Sequence, residues 1–336
     1  MVVCIVLLLV GLAATVRWGG LAVVPPPAPG QPPAPGQPLA PGQPPAFAKD
    51  APGQPLAPGQ PPAFAKDAAE PPPAPGQPSA SARDAGEPGR RPPVGLVVRR
   101  YLWYLVVAII SGVGAGILVA GAGGRLVMRL LAVTAGSDAQ GQITEAEEIV
   151  GRITVDGTLG FIVFTGLFFG AASGVAYLLL RRWLPAGRAG GLAFGALLLI
   201  LAGTRLEPLR QGNPDFDLVG PGLLSVAAFA ALVVLHGMLV AALAGRVSRA
   251  VPLLGPSPRA IVAHVPPLLL VLVTGTGALV VVLVGALVVL ASQTPAVVAA
   301  WRDRRLVLAG RVALALAALV AFPGFASTVV DILGRP

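Results

Sequence analysis

His236 is the ionisable side chain that stands deepest inside an uncharged run of this sequence, near the middle of residues 218–245. An ionisable group in a long apolar segment is costly, so it commonly belongs to a proton relay, a ligand site or a hydrogen bond between helices. We interpret His236 as a relay or ligand, or as a side chain that bonds a neighbouring helix, which is the commoner role. No uncharged run carries a carboxylate at its centre, which argues against a proton- or sodium-coupled transporter.

Ser173 lies in the sequence GAASG within another uncharged run and could act as a nucleophile if a histidine activated it. With His236, two runs later, it resembles the serine–histidine pair of rhomboid intramembrane proteases, and the resemblance implies peptide hydrolysis within a membrane. Ala171 stands where that family has glycine, no HxxxN-type element precedes the serine, and the glycines after His236 follow a different pattern. The resemblance covers two residues, and Ser173 beside Gly174 fits a small-residue helix face equally well.

Two segments between the uncharged runs hold more charge than solvation requires. The first, 125–156, begins with Arg125 and Arg129 on an amphipathic stretch and continues into the acidic sequence TEAEE at 144–148. The second, 204–222, contains both signs of charge: Arg205, Glu207, Arg210, Asp215 and Asp217. We expect structural ion pairs within and between these segments, with a solute or cation site as the alternative.

Asp215 and Asp217 flank Phe216, and on an extended segment side chains two residues apart point the same way. Two carboxylates in that arrangement could hold a cation. The alternative, that both aspartates form structural salt bridges, is the commoner arrangement for charges of both signs in one segment.

Glycine spacing predicts how the helices pack. Gly166, Gly170 and Gly174 fall four residues apart and so share one helix face. Two further pairs have the same spacing: Gly112 with Gly116, and Gly191 with Gly195. Small residues at this spacing allow close backbone approach between helices in lipid. The pattern indicates tight packing within one chain or, alternatively, a homo-oligomer or a contact with another membrane protein.

Motifs for cofactors and metals are absent from the sequence. It contains no HExxH, no Walker A loop and no GxGxxG, and its single cysteine, Cys4, excludes an intramolecular disulfide and a cysteine-based metal cluster. We expect no cofactor, no metal and no catalytic residue.

The composition indicates whether the chain folds in water or in a lipid bilayer. Apolar residues make up 55% of the chain and charged residues only 12%, against about 25% in soluble domains. The net charge of +9 comes mainly from arginines that flank apolar runs, since Lys49 and Lys66 are the two lysines. Arginine at the ends of apolar runs is typical of membrane proteins. The lipid bilayer is therefore the expected partner, and nucleic acid is not.

The chain divides into three parts. Residues 1–24 form a hydrophobic segment, which we interpret as an uncleaved anchor rather than a cleaved signal peptide. Residues 25–96 form a linker rich in Pro, Gly and Ala, in which a unit at 34–50 is repeated unchanged at 51–67; this composition predicts a disordered spacer. Residues 97–336 form a polytopic bundle.

Six spans are predicted within the bundle, since a span needs about 20 apolar residues. The uncharged runs lie at 101–124, 157–180, 189–204, 218–245, 260–301 and 312–330. The 42-residue run at 260–301 is too long for one span, so we expect a span at about 266–291 followed by an interfacial helix that ends at Trp301. A small excess of arginine predicts that Arg99 and Arg100 are cytoplasmic. The segments at 125–156, 204–222 and 302–305 would then lie outside.

The sequence therefore predicts an all-α integral membrane protein with about six transmembrane helices. Its expected role is that of a non-enzymatic, structural or accessory protein of a bacterial plasma membrane. A small-solute permease or channel with its path near His236, capped by the charged segments, is the first alternative, and an intramembrane serine protease is the second.

Overall fold

A computed structural model describes residues 1–27, 91–145, 147–152, 154–206, 208–210, 212–273 and 276–334. Most of the predicted linker, 25–96, lies outside these residues. The described part of the chain is all-helical, apart from one isolated antiparallel bridge between Ile143 and Ile149.

The helices are described in chain order. The first half contains α1 (Val2–Trp18), α2 (Val94–Ala115), a π-helical segment (Gly116–Gly121), α3 (Ala122–Thr134), α4 (Val155–Leu180) and α5 (Arg188–Leu201). The second half contains α6 (Asp215–Leu218), α7 (Gly222–Val247), α8 (Pro258–Val273), α9 (Thr276–Gln293), α10 (Pro295–Arg302) and α11 (Arg304–Leu333).

Four continuous helices in the described residues are long and apolar enough to cross a membrane. They are Val94–Thr134, which joins α2, the π-helical segment and α3, together with α4, α7 and α11. The bent pair of α8 and α9 makes five if it counts as one span, and α1 and α5 are shorter apolar helices. The predicted count of six is not confirmed.

We name the two ends of the bundle by their contents. The loop end carries the segments at 135–154 and 202–221, and the Arg181 end is the opposite one. Arg125 follows Arg100 by 25 residues in one continuous helix, or about 38 Å at 1.5 Å per residue. That length approaches the 40–45 Å of a bilayer with its headgroups. Arg125 and Arg129 thus lie on a helical extension, not in the loop that the sequence suggested.

Glycines bring α2 and α4 together. Gly166 and Gly170 face Gly116, and Gly170 and Gly174 face Gly112. A Cβ atom added at Gly112 would overlap the carbonyl oxygen of Gly170, so the two backbones are in direct contact. The glycine face therefore lies in a contact within this chain. Gly191 and Gly195 bring α5 against α7 in the same way.

The C-terminal third departs from the predicted span at 266–291. Here α8 and α9 meet at a bend of 116°. Gln293, the last residue of α9, donates to the carbonyl of Pro92 at 3.0 Å, which returns the pair to the Arg181 end, where α8 began. The predicted span was based on length alone. A 42-residue uncharged run is long enough for one span with an interfacial helix, but it can equally form two helices that meet at a bend.

Because the chain returns to the Arg181 end, the last long helix, α11, runs in the direction opposite to the predicted one. Just before this helix, in α10, the ring of Trp301 lies 6.2 Å from that of Trp183, and the Arg182 guanidinium lies 4.5 Å over the Trp301 ring. At the other end of α11, Ile332 packs against Gly222 at the loop end. The expectation that residues 302–305 lie on the same side as Arg125 is therefore wrong.

The N-terminal hydrophobic segment belongs to the bundle. Gly11 of α1 fits against Val119 of the π-helical segment and Leu239 of α7. After α1 ends, the Arg181 guanidinium donates to the carbonyl of Val23 at 3.2 Å. The segment thus runs from the loop end to the Arg181 end.

Candidate functional site

A cavity of about 1150 Å³ opens beneath the segments at the loop end. Helices α3, α4, α5 and α7 line it, with residues of both loop-end segments around its mouth. Ser173 and His236 line its deep part, with Ala176 one turn farther along α4. Ser173 follows Thr158, at the mouth, by 15 residues, or about 22 Å of helix. The cavity therefore reaches deep into the bundle.

Ser173 and His236 form a hydrogen-bonded pair in the deep part of the cavity, called its floor below. The Ser173 Oγ lies 2.8 Å from His236 Nε2, and both side chains are buried, at 7% and 6% exposure. Helix α4 supplies the serine and α7 the histidine, so the pair joins two helices, as the commoner role of a lone histidine predicted. The Nδ1 atom of His236 is buried beside the Ala115 backbone and makes no hydrogen bond of normal geometry.

The pair meets one requirement of a nucleophilic dyad but not a second. Its separation suits proton transfer from a serine to a histidine. However, Ser173 Oγ also lies 2.8 Å from the carbonyl of Gly170, and a hydroxyl has a single proton to donate. An acyl-transfer site also needs donors for an oxyanion. The backbone N–H groups around Ser173 lie inside a continuous helix and are engaged by its own carbonyls.

The walls of the cavity are apolar. Helix α4 contributes Phe161, Phe164 and Phe169, and α7 contributes Leu232 and Val233. Phe164 and Phe169 are 60% and 41% exposed to solvent although they line the cavity. Such exposure shows that the cavity is open, not enclosed, along this part of α4.

Arginines stand at the mouth. Arg125 and Arg129 are four residues apart on α3 and line the cavity together. Arg125 Nε donates to Thr158 Oγ1 at 3.4 Å, and its guanidinium lies 5.9 Å from the centre of the Phe161 ring. Arg129 donates to the carbonyl of Gly151 at 3.2 Å. Both contacts are with uncharged groups, so they orient the guanidinium groups without neutralising them.

The two loop-end segments are tied together above the cavity. Arg210 forms an ion pair with Glu145, and the Glu145 backbone N–H donates to Asp215 Oδ1 at 2.8 Å. The backbone N–H of Asp215 donates to Asn213 Oδ1 at 2.8 Å, which fixes the start of the short helix that carries Asp215. These contacts form the structural cap that the charge pattern suggested.

The alternative of a cation site at Asp215 and Asp217 fails on geometry. The two aspartates lie on the short helix α6 rather than on an extended segment, and residues two apart on a helix do not share a face. Within the described ranges, no group of three or more His, Cys, Asp or Glu side chains is placed to hold a metal ion.

One buried histidine was missed by the sequence analysis. His264 lies on α8 at 1% exposure, and its Nδ1 is 2.8 Å from the carbonyl of Ala260. It precedes the predicted span at 266–291 and so was not counted among intramembrane residues. Its buried setting depends on how α8 packs against α2, which no local pattern indicates.

No protein-family model matches this chain, and no curated protein or solved structure is significantly similar to it.

Proposed function

We propose that this chain is a multi-pass protein of a bacterial plasma membrane that takes a small solute into the cavity below its loops, as a permease does. The observation that carries the proposal is the continuity of that cavity from the loop end to the Ser173–His236 pair. Ligand sites in helical membrane proteins lie between helices near the middle of the bilayer. His236, at the middle of α7, occupies such a position.

The cavity favours a binding role over a purely structural one. Helices that serve only to pack fill the space between them, as α2 and α4 do at their glycines. Between α4, α5 and α7 the space is left open and carries polar groups at both ends. A structural or accessory role accounts for the first arrangement but not for the second.

The geometry gives less support to an intramembrane protease. The Ser173–His236 separation is suitable, but an oxyanion needs donors close to the serine, and the interior of α4 offers its N–H groups to its own carbonyls. We therefore assign the pair to the binding cavity and not to bond cleavage.

The arginine distribution supports an outward-facing cavity. The loop end carries five arginines: Arg125, Arg129, Arg152, Arg205 and Arg210. The Arg181 end carries more: Arg99, Arg100, Arg181, Arg182, Arg188, Arg246, Arg249, Arg259, Arg302, Arg304 and Arg305. Because arginine is enriched on the cytoplasmic side, the Arg181 end is cytoplasmic and the cavity opens outward in this proposal.

Solute flux tests the proposal. Proteoliposomes would be assayed with radiolabelled acetate, lactate, phosphate, glycerol and the amphiphilic anion octanoate, with protein-free liposomes as the background. Ala172 lines the cavity one residue from Ser173, so Ala172→Phe should block the path and reduce flux about tenfold or more. Val163→Phe, on the exposed outer face of the same helix, is the matched control and should transport as the wild type does.

Two outcomes would overturn the proposal. Equal flux in the wild type and in Ala172→Phe would show that solutes do not pass through this cavity. The absence of flux for every solute of the panel would leave the structural or accessory role as the better account.

A further inference from the structure

The lining of the cavity specifies the class of its ligand. Resting on the proposed function, we infer that the cavity binds an anionic amphiphile, with a phosphate or carboxylate head at Arg125 and Arg129 and an apolar chain directed along α4 toward Ser173.

The head position follows from the arginines of α3. Arg125 and Arg129 face the cavity from one side of the helix, and each guanidinium has five N–H donors. Each makes one hydrogen bond, to Thr158 and to Gly151, and neither lies within 4.0 Å of a carboxylate oxygen among the described residues. Two guanidinium groups one helical turn apart can both donate to a phosphate or carboxylate head.

Among the side chains that line the cavity, arginines outnumber carboxylates by one. Four arginines line the cavity: Arg125, Arg129, Arg152 and Arg210. Three carboxylates line it: Glu145, Glu148 and Asp215. Glu145 is paired with Arg210, Asp215 accepts from the backbone of Glu145, and Glu148 lies beside Gly157 close to Arg125. The remaining excess is one positive charge, which an anionic head would neutralise.

The chain position follows from the walls. Below Arg125 the lining is mainly aromatic and aliphatic, with Phe161, Phe164 and Phe169 within about 22 Å of α4 and Leu232 within about 10 Å of α7. The floor does not require a polar ligand atom, because Ser173 Oγ and His236 Nε2 already bond each other. A small hydrophilic anion would fill the mouth and leave most of this apolar depth uncovered, whereas an alkyl chain would cover it.

The open wall supplies an entry route. Phe164, Phe169 and Ala172 line the cavity and are exposed, and Phe164 also packs against Phe168, which is exposed and does not line the cavity. In a bilayer the exposed surface at Phe168 meets lipid chains, so an amphiphile could slide in from the side with its head still at the level of the arginines. A solute from water would instead have to pass between the segments joined by Arg210 and Glu145.

Photo-crosslinking tests the ligand class. The protein in phosphatidylcholine nanodiscs would be irradiated with hexadecyl phosphate carrying a terminal diazirine, and the adducts would be mapped by mass spectrometry. We expect adducts on the cavity faces of α4 and α7, between Thr165 and Ala176 and between Phe229 and His236. Unlabelled hexadecyl phosphate should compete at least tenfold better than hexadecyltrimethylammonium, which has the same chain and the opposite charge.

Variants assign the head site. Replacing both arginines, Arg125→Gln with Arg129→Gln, should weaken competition by hexadecyl phosphate about tenfold or more, because charge-assisted hydrogen bonds are lost. Arg205→Gln removes an arginine at the loop end that does not line the cavity, and it should leave competition unchanged. Crosslinking by a neutral hexadecanol diazirine should persist in the double variant, which shows that the cavity is still folded.

The outcomes separate this inference from the proposed function. Equal competition by the cationic and anionic amphiphiles, or an unchanged double variant, overturns the anionic head. Inorganic phosphate that competes as well as hexadecyl phosphate overturns the amphiphile but leaves a cavity that binds a small anion, consistent with the proposed function. Adducts that stay at the same sites in Ala172→Phe overturn the cavity as the location of the chain, while the flux assay judges the permease separately.

Discussion

The Oγ atom of Ser173 on α4 and the Nε2 atom of His236 on α7 lie 2.8 Å apart, although 63 residues separate them in the chain. Their hydrogen bond joins two helices at the floor of a cavity that is apolar above them. Burying a polar group in such surroundings is costly unless it is hydrogen-bonded, and this bond gives each of the two side chains a partner. The relationship therefore explains why these two residues stand where apolar side chains would otherwise be expected.

The first prediction concerns the strength of this bond. Ser173→Ala and His236→Phe should each destabilise the protein, and the double variant should be less destabilised than the sum of the two. Hydrogen bonds between helices in membranes contribute about 0.5–2 kcal/mol, so we expect a coupling free energy in that range. Unfolding in detergent, analysed as a double-mutant cycle, measures it. Additive effects would show that the two side chains do not interact.

The second prediction concerns nucleophilicity. Because no oxyanion donors face Ser173 from the interior of α4, we expect no labelling of the wild-type protein by a fluorophosphonate probe. The measurement is gel fluorescence of protein in native membranes, with a known serine hydrolase as the positive control. Labelling that disappears in Ser173→Ala would restore the protease alternative and contradict our assignment of the pair.

The third prediction concerns the glycine face. A methyl group at Gly112 would overlap the Gly170 carbonyl, so Gly112→Ala should force α2 and α4 apart and cost about 1–3 kcal/mol of unfolding free energy. Gly95→Ala, on the same helix with nothing within 4 Å of the added Cβ, should be neutral or slightly stabilising. Denaturant unfolding in detergent compares the two variants.

The same pair of variants tests the alternative of an oligomer. If the glycine face served a homodimer, Gly112→Ala would change the mass measured by light scattering and leave the unfolding free energy of the monomer unaltered. We expect the reverse, because Gly112 already contacts Gly170 and Gly174 of its own chain.

Sequence patterns predicted contacts that depend on regular spacing along single helices. Gly166, Gly170 and Gly174 share a face whatever surrounds them, so their packing role is readable from four-residue spacing alone. The Ser173–His236 pair is different, because spacing within α4 or α7 gives no information on how the two helices are turned toward each other. Their residue types marked Ser173 and His236 as candidates, but their contact depends on the tertiary packing of α4 against α7.

The charged segments show the same limit. Their opposite charges predicted ion pairs, and Arg210 with Glu145 forms one. The alternative of a cation site required an extended conformation at Asp215, whereas the chain forms a short helix there and turns the two aspartates to different faces. The cavity itself could not be predicted, because it is defined by space that α4, α5 and α7 do not fill.

The last prediction concerns the side on which each end of the bundle lies. In a background that lacks the native thiol, Cys4→Ala, single cysteines would be introduced at exposed positions: Gln140→Cys at the loop end, and Ala186→Cys and Arg304→Cys at the Arg181 end. A membrane-impermeant maleimide applied to intact cells should label Gln140→Cys alone. The other two should react only after permeabilisation, because the end richer in arginine faces the cytoplasm.

Arg304→Cys is the position that decides between two folds of the C-terminal third. A single span at 266–291 would carry residue 304 to the outside, whereas the bend between α8 and α9 returns the chain to the Arg181 end, where Trp301 packs on Trp183. Labelling of Arg304→Cys together with Gln140→Cys in intact cells would contradict the return. Labelling of Ala186→Cys without permeabilisation would instead reverse the whole bundle and turn the cavity toward the cytoplasm. In that case the solute or amphiphile would have to be supplied from inside the cell.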